Sequence, residues 1–221
     1  MISRIKNKIR RLFKRKDKQL VFLNSSQYWD DRYKTGGNSG AGSYGRLAQF
    51  KSEVLNDFVS NHGINSVVEY GCGDGAQLEL ATYPEYVGFD ISPKSVEICK
   101  QRFPNRKHYQ FFETSDLYDK EHSFELSLSL DVIYHLIEDE VFDAYMKRLF
   151  ASSRKYVIIY SNNVDKIFGS KHVKGRKFTQ WVDEFEKNWE LDKTIENSYP
   201  YDPADPNNTS HSDFFIFKRV T

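Results

Sequence analysis

The sequence predicts an α/β fold, a doubly wound sheet with helices on both faces. Three observations lead there. β-Branched Val67 and Val68 run into three glycines at alternate positions, Gly71, Gly73 and Gly75. A second strand, Tyr86-Val87-Gly88-Phe89-Asp90, ends on a carboxylate nineteen positions after Gly71. From there to the C-terminus, strand and helix patterns alternate.

The elements follow in order. A helix ahead of the glycines buries a stripe of Leu47, Phe50, Val54, Leu55 and Phe58. Gly63 and Asn65 form the turn into the first strand. After Asp90, Ser92 reads as an N-cap and Pro93 as the first helical residue. That helix runs to Arg102 and breaks before Pro104. Strands are expected over 108–112, 125–131 and 156–160, with a helix over 138–151. A helix over 179–189 and strands over 190–196 and 213–217 complete the chain. No internal repeat or low-complexity tract is present.

Composition narrows the function classes. The 221 residues suit one catalytic domain, without room for a separate substrate domain. Aromatic residues make up 15% of the chain, which suits a packed sheet and a ring-lined pocket. The two cysteines, Cys72 and Cys99, support neither a disulfide framework nor a zinc cluster, and point to a reducing cytoplasmic compartment. No apolar run approaches the roughly twenty residues that span a bilayer. The net charge of +1 hides an asymmetry: residues 1–18 hold nine Lys or Arg against one Asp, and the remainder 23 basic against 30 acidic residues. Ile2, Ile5, Ile9, Leu12 and Phe13 share one helical face of that arm, with Lys and Arg around the rest. A basic amphipathic helix can lie on an anionic membrane surface, so peripheral contact with the inner membrane face is one expectation. A solvated arm, or a helix docked on the domain, is the other. The acidic body argues against a nucleic-acid track.

Charge discriminates between cofactors. Gly71 to Ala76 fits the loose dinucleotide pattern, but such a loop faces a pyrophosphate. Here Asp74 lies inside the loop and Glu69 two residues before it. Both repel a diphosphate, and both suit a ligand carrying an ammonium and a sulfonium. Asp90 stands where a βαβ unit places an acid on ribose hydroxyls. An acid followed by G-x-G-x-G, with the spaced Asp90, resembles the first motif of class I S-adenosylmethionine-dependent methyltransferases. The resemblance covers residues 66–161 and implies a Rossmann-like, seven-stranded sheet, mostly parallel with an antiparallel last strand. It implies S-adenosyl-L-methionine as cofactor, held by Glu69, Gly71, Cys72, Gly73, Asp74, Gly75, Asp90, Ile91 and Asp131. The acid after the third strand commonly meets the adenine amino group in this superfamily, which assigns that role to Asp116, flanked by Ser115 and Leu117.

Residues 28–45 join an aromatic cluster, Tyr28-Trp29-Asp30-Asp31-Arg32-Tyr33, to a glycine-serine loop. No Gly-Lys-Ser/Thr follows, so this is not a P-loop. The order of aromatic cluster, loop, helix and first motif resembles a bacterial subgroup of the family, in which the segment forms a lid. Tyr28, Trp29 and Tyr33 are its expected rings and Arg32 its cation. A mobile connector beside ordinary core aromatics is the alternative.

The fourth strand ends in Asp131-Val132-Ile133-Tyr134-His135, where ligands of open α/β sheets bind. Methyl transfer from a sulfonium is a direct displacement, and the enzyme mainly aligns the acceptor. A hydroxyl acceptor also loses a proton, and His135 has the intrinsic pKa of a base for it, beside Asp131. Satisfying a backbone carbonyl or binding a substrate oxygen stays open as the alternative role of His135. A metal on Asp131 and His135 lacks a third ligand. His172, Lys174 and Arg176, in a basic run after the fifth strand, and Tyr134 suggest an acceptor that is anionic, such as a phosphorylated or nucleotide-activated sugar.

The expected organisation is a basic arm over 1–20 and a methyltransferase domain over 21–221. Within that domain, 21–62 form the lid and helix, 63–161 the cofactor core, and 162–221 the acceptor side. The expected reaction is O-methylation of a small polar, anionic or glycan-related acceptor. N-methylation of a small amine, or a non-catalytic cofactor-binding partner, stay open as alternatives.

Overall fold

The computed structural model describes residues 22–117, 124–166 and 170–220. The basic arm expected over 1–20 lies outside them. Seven strands form one sheet: β1 Ser66–Tyr70, β2 Glu85–Asp90, β3 Tyr109–Glu113, β4 Phe124–Leu130, β5 Ser153–Ser161, β6 Trp189–Ile195 and β7 Asp213–Arg219. Their order is β3-β2-β1-β4-β5-β7-β6. β1 to β5 pair in parallel, and β7 runs antiparallel to both β5 and β6. This is the expected mixed sheet, with the last strand inserted inside the edge.

Alternation along the central strands splits the core into two layers. Val67, Leu126, Ile158 and Ile216 pack on one face, with Leu55 and Phe58 of the preceding helix. Val68, Val157, Ile159 and Phe217 pack on the other, with Met146 and Leu149. Among the described residues five α-helices flank the sheet: α1 Ser25–Lys34, α2 Gly45–Asn61, α3 Pro93–Arg102, α4 Asp139–Ala151 and α5 Phe178–Phe185. α2 buries Leu47, Phe50, Leu55 and Phe58 as its pattern predicts, but Lys51 is buried on the same face. Ser92 is the N-cap and Pro93 the first residue of α3 as expected, but the Ser92 side chain makes no cap bond and donates to Asp30 Oδ1 of α1 at 2.9 Å. The helix expected over 179–189 ends at Phe185 because Trp189 already begins β6.

The strand order reverses between β1 and β4, whose carboxyl ends diverge there into a crevice. No helix among the described residues is long and apolar enough to cross a membrane.

Candidate active site

The crevice is a cavity of about 410 Å³ at the carboxyl ends of β1, β2 and β4. Its floor is the glycine loop. Gly71, Gly73 and Gly75 have φ of 84°, 57° and 75°, the left-handed region that favours glycine. A Cβ on Gly71 would stand 2.5 Å from Val132 Cγ2, so this position also needs the missing side chain for packing. The amides of Gly71 and Cys72 both donate to the Phe89 carbonyl, at 2.7 and 3.0 Å. The Gly73 amide donates to Asp90 Oδ2 and the Ser92 amide to Asp90 Oδ1, each at 2.9 Å. Loop and β2 are thus tied together at the carboxylate expected to meet a ribose. Burial raises the Asp90 carboxyl above its usual range, against those hydrogen bonds.

Glu69 is buried and lines the cavity. Burial pushes it up to about 7, although Tyr86, donating at 2.6 Å, and the Lys51 ammonium oppose the shift. Asp74 departs from expectation. Its carboxylate accepts from the Ser39 hydroxyl and amide, the Tyr44 hydroxyl and the Ala76 amide at 2.8–3.2 Å, and it does not line the cavity. Burial raises its carboxyl, but these bonds outweigh burial and hold it below its usual value. Asp74 therefore fastens the 36–44 loop over the glycine loop. Gly75 likewise packs on Phe103 and is off the cavity wall.

The N-terminal segment closes one side. Trp29 and Tyr33 face the cavity, and Tyr33 hydrogen-bonds Ser39 at 3.0 Å. Tyr28 does not line it; its ring stacks on His172 at 4.4 Å. Arg32 is also displaced from its expected role, because its Nε donates to the Asn38 carbonyl at 2.6 Å and shapes the loop. At the start of α1, the Ser25 amide and hydroxyl donate to Glu138 at 3.0 and 2.6 Å. The loop crosses so close to Asp131 that a Cβ on Gly42 would meet its Oδ2 at 2.8 Å.

The opposite side is built around Asp131, whose φ of 59° is left-handed in a residue other than glycine. Its carboxylate accepts from Lys51 Nζ at 2.7 Å, Tyr134 at 3.0 Å and Ser212 at 3.3 Å. Tyr134 reaches Asp131 and is not on the cavity wall. His135 is. Its Nδ1–H donates to the His172 carbonyl at 2.8 Å, which leaves the Nε2 lone pair available, and Trp29 packs edge-on at 4.8 Å. Burial lowers its pKa to about 4, so the imidazole is neutral at physiological pH. His172 itself stays off the wall and orients His135 through its backbone.

The basic run is redirected. Lys174 pairs with Asp139 at 2.6 Å, and Arg176 pairs with the same carboxylate while donating to the Leu136 and Ile137 carbonyls. Neither lines the cavity; both brace the turn into α4. Ile91 and Thr114 line its nucleoside-side wall. Ser115 is exposed and off it. Asp116 and Leu117 end a 3₁₀ turn, and their side chains lie outside the described part. Among the described residues no cluster could hold a metal ion.

Sequence reasoning missed Lys51, Gln77, Tyr145 and Arg148, all on the wall. Lys51 had a signal: it lies one turn after Leu47 and one before Leu55, a charge inside an apolar stripe. Arg148, whose Nη1 donates to the Thr114 carbonyl at 3.0 Å, had none.

The residues present fit S-adenosylmethionine. The acids Glu69 and Asp90 border the glycine loop, so the floor offers negative charge where a pyrophosphate would need the reverse. Residues 68–157 match the methyltransferase domain family. No curated protein sequence matches the chain. N-methyltransferase NodS from Bradyrhizobium japonicum WM9, in complex with S-adenosyl-L-homocysteine, superposes with a TM-score of 0.65 at 12% identity, over 90% of this chain and 100% of that one. Magnesium protoporphyrin IX methyltransferase from Synechocystis PCC 6803, with bound S-adenosylmethionine, gives 0.64 at 17% identity, over 91% and 100%. The methyltransferase domain of bacterial CtHen1-C gives 0.61 at 22% identity, over 78% and 98%. At these identities the superpositions speak for the fold, and the domain match for the activity. Residues 68–157 are thus a methyltransferase domain, and on the seven-stranded fold shared with these structures the protein is an S-adenosylmethionine-dependent methyltransferase.

Proposed function

We propose that the protein O-methylates a small polar acceptor bearing hydroxyl groups, of the kind found on sugars. The observation that carries this reading is the hydrogen bond between His135 Nδ1 and the His172 carbonyl. With Nδ1–H committed to the His172 carbonyl, Nε2 offers a lone pair to the cavity. The bound cofactor supplies an electrophilic methyl group on sulfonium sulfur. His135 Nε2 accepts a hydrogen bond from the acceptor hydroxyl and orients one oxygen lone pair for attack. It then takes the proton as the new carbon–oxygen bond forms. At that moment the oxygen is strongly acidic, so a neutral imidazole with a low pKa is base enough. Trp29 and the 36–44 loop keep water from the reacting groups.

Hydroxyls of Ser26 and Ser43 on the lid side suit a polyhydroxylated acceptor. The anionic part of the expectation loses its basis, because Lys174 and Arg176 are engaged by Asp139. N-methylation of a small amine is a second reading, favoured by Glu140 on the same wall. Turnover on a panel of sugars, sugar phosphates and amines, with the methylated atom identified by NMR, tests both. A methyl group found on nitrogen, with no reaction at any hydroxyl, overturns the first.

A further inference from the structure

One face of the molecule carries aromatic surface that nothing among the described residues covers. Phe185, the last residue of α5, is 52% exposed and lies against Trp181 at 5.3 Å, one helical turn earlier. Trp181 is half-buried, resting on Phe142 at 6.1 Å and donating from Nε1 to Asp143 Oδ1 of α4. Leu191 of β6 is 44% exposed and pairs in register with Phe217, so it points to the same side of the sheet as α4 and α5. The charge around these side chains is negative: residues 181–196 hold six Asp or Glu against two Lys. Asp183, Glu184, Glu190 and Asp192 are exposed and have no ion pair among the described residues. Clustered apolar surface with a charged rim marks an interaction site, and this rim selects a cationic partner.

A segment of that chemistry belongs to the same chain. Residues 1–18 hold nine Lys or Arg against one Asp, with Ile2, Ile5, Ile9, Leu12 and Phe13 spaced for one helical face. The chain enters the described structure close to the aromatic face. Ser25 is bound to Glu138 at the head of α4. Asp143, which holds Trp181, lies five residues further along that helix, roughly 7.5 Å at 1.5 Å per residue. From Phe13 to Phe22 an extended chain spans roughly 30 Å, several times that step. We propose that residues 1–18 dock across the Trp181, Phe185 and Leu191 face of the same chain. Their apolar side chains cover the rings, and their cations meet the Asp183 and Glu184 carboxylates. While docked, those cations are withheld from any anionic surface.

The test is carbodiimide cross-linking of the full chain, read by mass spectrometry on a mixture of isotope-labelled and unlabelled protein. Cross-links from Lys6, Lys8 or Lys14 to Asp183, Glu184 or Glu186 are expected, each within one isotopic species. Limited trypsin digestion then reads the docked population, because cleavage tracks the open fraction when opening is fast. Cleavage within the arm should be roughly tenfold slower in wild-type protein than in Phe185→Ser, equivalent to about 1.4 kcal/mol of docking. Asp183→Lys combined with Glu184→Lys should speed it likewise by charge alone. All three side chains are exposed, so neither variant opens the core. Raising salt toward 1 M, where the screening length is about 3 Å, should speed wild-type cleavage as well. Equal cleavage rates in all three proteins, with no cross-link from arm to α5, overturn the proposal. Cross-links confined to mixed-isotope pairs overturn it too, by placing the arm on a second copy. Protection that appears only with phosphatidylglycerol vesicles and ignores Phe185→Ser would assign the arm to a membrane instead.

Discussion

On the β1–β2 side of the cavity, ligand-facing groups are held by backbone amides close in sequence: Asp90 by Gly73 and Ser92, the glycine loop by Phe89. On the β4–β5 side they are held by side chains and carbonyls from distant segments. Asp131 is gripped by Lys51 and Ser212, 80 and 81 residues away, and His135 by the His172 carbonyl, 37 residues away. The first arrangement recognises an invariant ligand with parts that barely depend on side-chain identity. The second makes geometry depend on which loops meet, so the acceptor chemistry can change while the cofactor floor stays put. If that division holds, variants on one side should move one set of constants and spare the other.

The largest effect is expected at His135. His135→Gln should slow the chemical step by roughly 10²–10⁴-fold with cofactor affinity near wild type. Because burial sets the free imidazole near 4, the acid limb of kcat/KM should lie well below the usual imidazole range. The same shift affects stability. The folded pKa is below the unfolded one, so the unfolded chain binds more protons as pH falls from about 6.5 toward 4, and stability drops across that window. Stopped-time assays and denaturant melts at several pH values read the two effects separately. A parallel loss of cofactor affinity in His135→Gln would break the division between the sides.

Asp90→Ala comes next. It removes an acceptor for two loop amides as well as the ribose partner, and cofactor binding should weaken by roughly 1.5–3 kcal/mol or more. Asp90→Asn keeps one acceptor oxygen and should recover part of that loss. Calorimetry showing wild-type affinity in Asp90→Ala would mean that the ribose lies elsewhere.

The difference between the two sides also explains what could be read from the residues. The succession of strands and helices, the glycine loop and the place of Asp90 at a strand end were legible because local backbone geometry dictates them: alternate glycines at positive φ and an acid at a strand end leave few arrangements. Asp74 was misassigned because charge in a loop says nothing about direction; only Ser39 and Tyr44, some thirty residues away, turn it outward. Lys174 and Arg176 were misassigned for a similar reason, since nothing local predicts that Asp139 will claim both. Lys51 was legible in principle, as a cation on an apolar helix face. Gln77 was not, because an amide is common in any turn and its unpaired oxygen is a property of the packed site.

A smaller effect is expected at Glu69. Burial sets its carboxyl at about 7, and a cationic ligand alongside favours the ionised form. Binding S-adenosylhomocysteine near pH 6.5 should therefore release a fraction of a proton, and affinity should rise with pH across 6–7. Titrations in buffers of different ionisation enthalpy detect the release, and Glu69→Gln should abolish it. Proton uptake in place of release would put the ligand's ammonium far from Glu69.

The smallest effect tests the correction on the acceptor side. Asp139 is 72% exposed, so its pair with Lys174 sits largely in water. The Lys174 and then the Arg176 hydrogen bonds hold the Asp139 carboxyl down at about 2. Solvent screening still limits such a pair to roughly 0–1 kcal/mol. Lys174→Ala should thus lower stability by no more than about 1 kcal/mol. Arg176, only 10% exposed, also donates to two carbonyls and lies over the Phe142 ring at 4.6 Å, so Arg176→Ala should cost more. For both variants KM should be the same for a sugar and for its phosphate, because neither cation faces the cavity. A KM rise confined to the phosphorylated acceptor in Lys174→Ala would show that the Asp139 pair opens during the reaction. The β4–β5 side would then have a second, acceptor-bound arrangement, and the basic run would regain its role in recognising an anion.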